Sequence, residues 1–533
     1  MQNILRNMNI QYKWLLTLLV FGFVACESDD DLTTTEEVVI TSGTADFSTY
    51  VALGNSLTAG FTDGALFIAG QENSMPNILA QQFALAGGGS FSQPLMNDNI
   101  GGFLFGGMPM TNGSFGPRFY FYSDVDPDDD FNSGPYPLGV VPDMLDFSPE
   151  SPTTEATTNL GSSFNNMGIP GAKSFHLLAN GYGNPAGLAA DPPLVNPYYV
   201  RIASSATSSV LEDAMDQNPT FFSLWIGNND VLGYALTGGD GTDPITDTGM
   251  FNQAYNGLVA TLTSGGAKGV VANIPDVTSI AHFTTVPHNP VPLDAATAGA
   301  VNSAYAAYNG GLDAALAFLT ANPLTLGALF PPTSDMTSLE LATAEMARRK
   351  ITFNAGAGNA VVIFDENLTD LTAINAGLVP MRQATEADLL VLTSSSFIGT
   401  LADPGNPLSV NGVAVPLADK WVLTPEEQED IAIATAAFNT TISAAAQQAG
   451  LAFVDANALL VEASDGGTTF DEFLLQGNLV FGGLFSLDGV HPTARGYAFI
   501  ANKTMEAINT TYGSNLPMVK AVDYPTFYSP MLP

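Results

Sequence analysis

The sequence predicts an α/β fold of three layers: a central parallel sheet with helices on both faces, carrying two large insertions. Short apolar runs of strand length alternate with stretches of helical period. The 533-residue chain is 46% hydrophobic and only 12% charged, enough to bury a large core. Turns rich in glycine and asparagine directly follow several of the apolar runs, as loops at the carboxyl edge of a parallel sheet do.

The first strand is predicted over Thr49–Leu53, a short apolar run meeting Gly54. Ser74-Met75-Pro76 starts a helix that continues through Ile78, Leu79, Gln82 and Phe83. Residues 87–163 are rich in Gly, Pro, Phe and Asn without a long period, and read as an insertion. A helix over 203–216 and a strand over Thr220–Ile226 follow. A helix over 249–263 then leads to a strand at Gly269–Asn273. Residues 278–423 break the rhythm and read as a second insertion able to cap a site. It has helices near 293–319 and 337–349 and strands at 351–354 and 360–364. The core resumes at Thr424-Pro425-Glu426-Glu427, which combines a cap, a proline at the first helical position and a glutamate three residues after the threonine. Ile431, Thr435, Phe438, Ile442 and Ala445 give that helix its apolar face, and Gly450 stops it. Leu451–Val454 is the next strand, and a last helix covers 494–511.

Charge narrows the partners. Fourteen basic residues against 52 acidic give −38. Such a surface repels phosphate backbones and excludes nucleic-acid binding as the leading reading.

The N-terminus reads as a secretory signal over residues 1–25. Arg6 and Lys13 precede Trp14–Ala25, an apolar run of 12 residues that is too short to span a bilayer. Phe23-Val24-Ala25-Cys26 resembles a bacterial lipobox, although Leu is commoner than Phe at its first position. That resemblance implies lipidation of Cys26, the only cysteine of the chain, and a membrane anchor. The acidic run Glu27-Ser28-Asp29-Asp30-Asp31 resembles the surface-export signal of Bacteroidetes lipoproteins. The expected location is therefore the cell envelope, at the outer membrane, with residues 26–46 as the lipidated cysteine and tether. An ordinary signal with an incidental cysteine is the alternative.

Four blocks carry chemistry: Gly54-Asn55-Ser56-Leu57, Asn166–Gly171, Gly227-Asn228-Asn229-Asp230 and Asp488-Gly489-Val490-His491. Ser56 lies between a predicted strand and a helix, where a hydroxyl reaches the carboxyl edge of the sheet. A serine nucleophile needs a base, and the chain has four histidines. Of these, His491 has Asp488 three residues earlier, a spacing that lets a carboxylate hold one ring nitrogen. His176, His282 and His288 read as structural. Asn229 follows a strand and can aim its amide over the sheet edge. Gly171 can offer an unobstructed backbone N–H, with Gly168 as the alternative.

Taken together, these blocks resemble the GDSL-type lipases and esterases of the SGNH hydrolase superfamily. The resemblance implies a flavodoxin-like sandwich over residues 47–533, interrupted at about 87–163 and 278–423. It further implies Ser56 as nucleophile, His491 and Asp488 as base and orienting carboxylate, and Gly171 and Asn229 as oxyanion donors. No metal or organic cofactor is required. Ala267–Pro275 is similar to the family's central strand and loop. Asn55 replaces the family's Asp beside the nucleophile, which implies altered local hydrogen bonding and not lost activity. The resemblance covers about half of the chain and leaves the substrate open. The expected substrate is a lipid, a short acyl ester or an acetylated glycan. A carbohydrate O-acetylesterase and a non-catalytic surface binding scaffold remain as alternatives.

Two weaker signals complete the reading. Asp124–Asp130 alternates carboxylates, but Pro135 stands where a calcium-binding EF-hand loop needs Glu, so a solvated loop is preferred over a calcium site. Phe103–Met110 reads as insertion core, with an acyl-pocket wall as the alternative.

Overall fold

A computed structural model describes residues 39–110, 115–123, 133–140, 149–190 and 192–532. The signal segment, Cys26 and the Asp124–Asp130 loop lie outside the described residues, as do most of the 26–46 tether and parts of 87–163. Among the described residues no single helix is long and apolar enough to cross a membrane.

Five strands form the central sheet: β1 (Tyr50–Gly54), β2 (Asn166–Gly168), β3 (Phe221–Trp225), β4 (Lys268–Ala272) and β5 (Ala452–Val454). Their order is β2-β1-β3-β4-β5 and every pairing is parallel. The strands are apolar because both faces of the sheet are covered, and β1 and β3 are buried throughout. The register sets Gly54 opposite Trp225 on one side and Gly168 on the other. The strand order reverses direction at β1 and β3, so the loops leaving these two strands flank the crevice where open α/β sheets bind ligands.

The helices that build the layers are α1 (Ser56–Ala59), α2 (Met75–Leu85), α3 (Asn229–Leu236), α4 (Thr248–Thr263), α5 (Ala295–Ala321), α6 (Ser338–Arg348), α7 (Pro425–Ala449) and α8 (Ala494–Tyr512). On one face α2 packs on α8. There Phe83 meets Tyr50 edge-on, and Tyr512 meets Phe221 in the same way. On the other face α4 packs on α7, with Phe251 and Phe438 stacked at 4.0 Å. The cap read at Thr424 is present: Thr424 and Glu427 bond each other's backbone N–H groups, and Gly450 closes α7 in a left-handed conformation.

Residues 286–422 gather a second apolar cluster of their own, centred on Leu312, Leu319, Val361, Val362 and Leu417. It is built from α5, α6 and short antiparallel pairs such as Val362–Phe364 with Met381–Gln383.

Three sequence expectations change. The helix expected at 203–216 exists only as Val210–Met215, because Ser209 caps it by a reciprocal bond with Glu212. Residues 351–354 pair with no strand. Asn309 and Asn302, on α5, bind the backbone of Ile351 and Phe353 and satisfy it in the strand's place. Asn166–Gly168, read as a loop, is the edge strand β2, too short and too poor in β-branched residues to announce itself.

Gly168 also shows why the second block contains glycine there. A Cβ on it would lie 2.3 Å from the backbone nitrogen of Ala59, on the helix that carries Ser56. Gly168→Ala should therefore cost about 1–3 kcal/mol of stability, read as a lowered denaturation midpoint in urea. A midpoint equal to that of the original protein would mean that α1 is free to move away.

Candidate active site

The site is assembled from three loops at the carboxyl edge of the sheet and one turn near the C-terminus. Ser56 opens α1 immediately after β1, and is 8% exposed. Its hydroxyl lies 2.9 Å from Nε2 of His491. The other ring nitrogen, Nδ1, lies 2.8 Å from Oδ2 of Asp488. A carboxylate accepts only, so Nδ1 carries a proton in the neutral ring and Nε2 is left to accept one from Ser56. Phe61 packs against the imidazole at 4.6 Å between centroids and limits its rotation.

Asp488 is held from every side. Its Oδ1 accepts from the Ser486 hydroxyl and from the N–H groups of Val490 and His491; its Oδ2 accepts from Gly64 N–H as well as from His491. Burial raises the carboxyl. The facing His491 and these hydrogen bonds outweigh burial and hold it well below the usual carboxylate range. Asp488 thus remains an anion in a mostly buried position.

The cavity that Ser56 lines is also lined by residues with free donors. The N–H groups of Ser56 and Gly171 have no hydrogen-bond partner among the described residues. Gly171 has a φ of +79° and open space where a side chain would lie. Gly168, its alternative, is excluded as a donor: it is buried in β2 and its N–H is bound by the Asn166 side chain. Asn229 begins α3 after β3 and spends one amide proton on the carbonyl of Ala172, at 3.0 Å, leaving the second for a ligand. Asp230 is fully buried and binds both the N–H and the hydroxyl of Ser174, which fixes the Gly171 loop against α3. Asn55 accepts from Leu57 N–H and donates to Asn228 Oδ1 at 3.2 Å. The Asn55 side chain thus links the first and third blocks directly.

Ser56, Gly171, Asn229, Asp488 and His491 all line one cavity of about 1730 Å³. Much of its apolar lining comes from the second insertion, including Val286, Val291, Leu392, Ile398 and Val413. Phe103–Met110 contributes nothing to it: Phe103 is buried in the main core and Met108 is exposed. His176 and His282 line the same cavity, although their sequence surroundings gave no sign of it. His282 is braced by its backbone N–H on the carbonyl of Gly489, and its buried Nδ1 has no partner.

Asp63 is a second residue that the motifs did not announce. It is 1% exposed, takes a left-handed φ of +50°, accepts from Leu487 N–H and donates its own N–H to Ser486. It therefore braces the turn that carries Asp488. Burial pushes its carboxyl up to about 7; the Leu487 bond opposes this and the nearby Asp488 charge adds to it.

Comparison with protein-family models, with curated proteins and with solved structures finds no match to this chain.

The neutral form of Asp63 makes a pH signature. Folding holds a proton that the unfolded chain releases above about pH 4. The stability this proton confers is complete below that pH and is lost as the pH rises through the folded value of about 7. Asp63→Asn keeps an acceptor for Leu487 and suits the left-handed backbone. Urea unfolding at about pH 5 and about pH 8 should show a smaller loss of stability between the two in the variant. An unchanged difference would assign the titration to another group.

Proposed function

We propose that the protein is a serine ester hydrolase of the SGNH type. The observation that carries the reading is the hydrogen-bonded series Ser56–His491–Asp488 with three donors in one cavity. The strand order, with its crevice between β1 and β3, matches the flavodoxin-like order of that superfamily.

His491 takes the proton of Ser56 as the hydroxyl oxygen attacks an ester carbonyl. The Asp488 carboxylate holds the ring and stabilises the imidazolium that forms. The oxyanion is received by the N–H groups of Ser56 and Gly171 and by the Asn229 amide, where losing one donor typically costs about 10²–10³ in rate. The imidazolium then protonates the departing alcohol. Water, deprotonated by His491, releases the acid from Ser56.

The apolar lining favours a substrate with a hydrophobic acyl or alkyl portion over an acetylated glycan. Attachment through a lipid on Cys26 to the outer membrane, facing outward or inward, is part of the same proposal and rests on the sequence of residues 1–31.

Hydrolysis of acetyl, butyryl and octanoyl nitrophenyl esters by the purified protein tests both parts. Ser56→Ala should lower kcat/KM by about 10⁴-fold or more with an unchanged melting curve, and the octanoyl ester should be preferred. Full turnover in the variant would overturn the nucleophile. A preference for acetyl would instead favour an O-acetylesterase.

A further inference from the structure

Away from the cavity, the carboxylates of Glu366, Asp419 and Glu427 meet. Glu366 follows the strand Val362–Phe364 of the second insertion, Asp419 sits in the short turn Asp419–Trp421, and Glu427 lies in the first turn of α7. One oxygen of each lies within 4.8 Å of the others. Crowding of this kind raises the energy of the fold unless a cation occupies the centre or the acids hold protons between them, as burial and the neighbouring Glu366 favour for Asp419 and Glu427. No lysine or arginine does so: among the described residues none of the three carboxylates forms an ion pair. Asp240 and Asp365 add further negative charge around Asp419.

Glu427 and Asp419 each also have one buried carboxylate oxygen without a partner. Glu427 is 3% exposed. Its Oε2 is used by the Thr424 N–H and hydroxyl in the helix cap, whereas Oε1 is buried and accepts nothing. Oδ1 of Asp419 is likewise buried and unpartnered. A buried carboxylate oxygen left bare costs about 1–3 kcal/mol or more. Bare buried oxygens on two of the three clustered acids distinguish the group from a solvated acidic patch. Glu366 is exposed and leaves one side open for water.

The backbone closes around the same point. Gly238 and Gly239, just after α3, have positive φ values. A Cβ on Gly238 would lie 2.3 Å from the Asp419 carbonyl, and one on Gly239 would lie 2.0 Å from Oε1 of Glu427. Only glycine allows the chain to pass this close to the acids.

We propose that Glu366, Asp419 and Glu427 bind one calcium ion that fastens the second insertion to the core helices α3 and α7. All-oxygen ligands of full negative charge select a hard divalent cation. Calcium bonds of about 2.3–2.6 Å reach oxygens up to roughly 5 Å apart, which accommodates the observed separations. Calcium also accepts irregular sets completed by water, whereas magnesium demands a tight octahedron. The ion here is structural, with no part in ester cleavage, and the proposal stands whether or not the protein is an esterase.

Calorimetric titration of the purified, EGTA-treated protein with calcium chloride should show one bound ion per chain. Its melting temperature should rise by several degrees in calcium. Asp419→Asn and Glu427→Gln should each abolish both effects. In EGTA Asp419→Asn should melt no lower than the original protein, because one repelling charge is gone; a purely structural role for that carboxylate would lower the melting temperature. Absence of both binding heat and stabilisation in the original protein would overturn the proposal. So would a calcium response that persists in both variants, which would locate the ion elsewhere, for example at Asp124–Asp130. A larger stabilisation by magnesium than by calcium would overturn the choice of ion.

Discussion

The carboxylate of Asp488 is the point on which the rest of the site depends. Two oxygens receive five hydrogen bonds, drawn from the loop after β1 and from the turn before α8. An anion in a mostly buried place is tolerable only when so completely satisfied. The same bonds dictate the geometry of the site. They fix the height of the turn and with it the imidazole, and the imidazole in turn meets Ser56 at hydrogen-bond distance. Asp63 extends this logic by one layer. It holds the Ser486 hydroxyl and the Leu487 N–H, and burial, with the nearby Asp488 charge, pushes its own carboxyl up to about 7.

The acceptor side of the cavity is held by a separate set of buried polar links. Asn55 joins the nucleophile's turn to Asn228, Asp230 joins α3 to Ser174, and Asn229 bonds the carbonyl of Ala172. Of these groups only the Asn229 amide has a proton left to offer the cavity. Their effect is preorganisation: donors aimed in advance at the place where charge develops need no rearrangement at the moment of reaction. The Asn55 amide belongs to this scheme: its nitrogen donates to Asn228 Oδ1 while its oxygen accepts from Leu57 N–H.

How much of this was legible in the sequence follows from the range of each interaction. The core strands announced themselves because they are buried on both faces and read as unbroken apolar runs. The helices of α4 and α7 showed their period and, for α7, its cap. Asp488 and His491 lie three residues apart, so one turn reveals them. Ser56 and Asn229 were found because each sits in a short motif at a strand end. By contrast β2 has three residues of weak strand preference, and it exists because β1 and α1 are there to receive it. Asp63, His282 and the cavity wall act through partners hundreds of residues away. The acids at 366, 419 and 427 look in sequence like ordinary surface charge. Only the folded chain brings them together.

Those acids lie at the far end of the element that begins with Asn229. Helix α3 runs eight residues, about 12 Å, from Asn229 at the cavity to the Gly238–Gly239 turn against Glu427 and Asp419. Tyr234 on the same helix already feels Glu427, Asp430, Glu366 and Asp419, and together with burial they push its phenol up to about 12. The position of α3 is thus set at one end by Asp230 and Ser174, and at the other by whatever balances the acid cluster. The second insertion supplies both the apolar wall of the cavity and Glu366. A charge that draws Glu366 toward α7 therefore acts on the two sides of the cavity at once: it seats the wall, and it seats the helix that presents Asn229. Repulsion left unbalanced there would be relieved most easily by moving the exposed partner, Glu366, and with it the insertion, so the width of the cavity and the balance of charge at this seam are one mechanical problem.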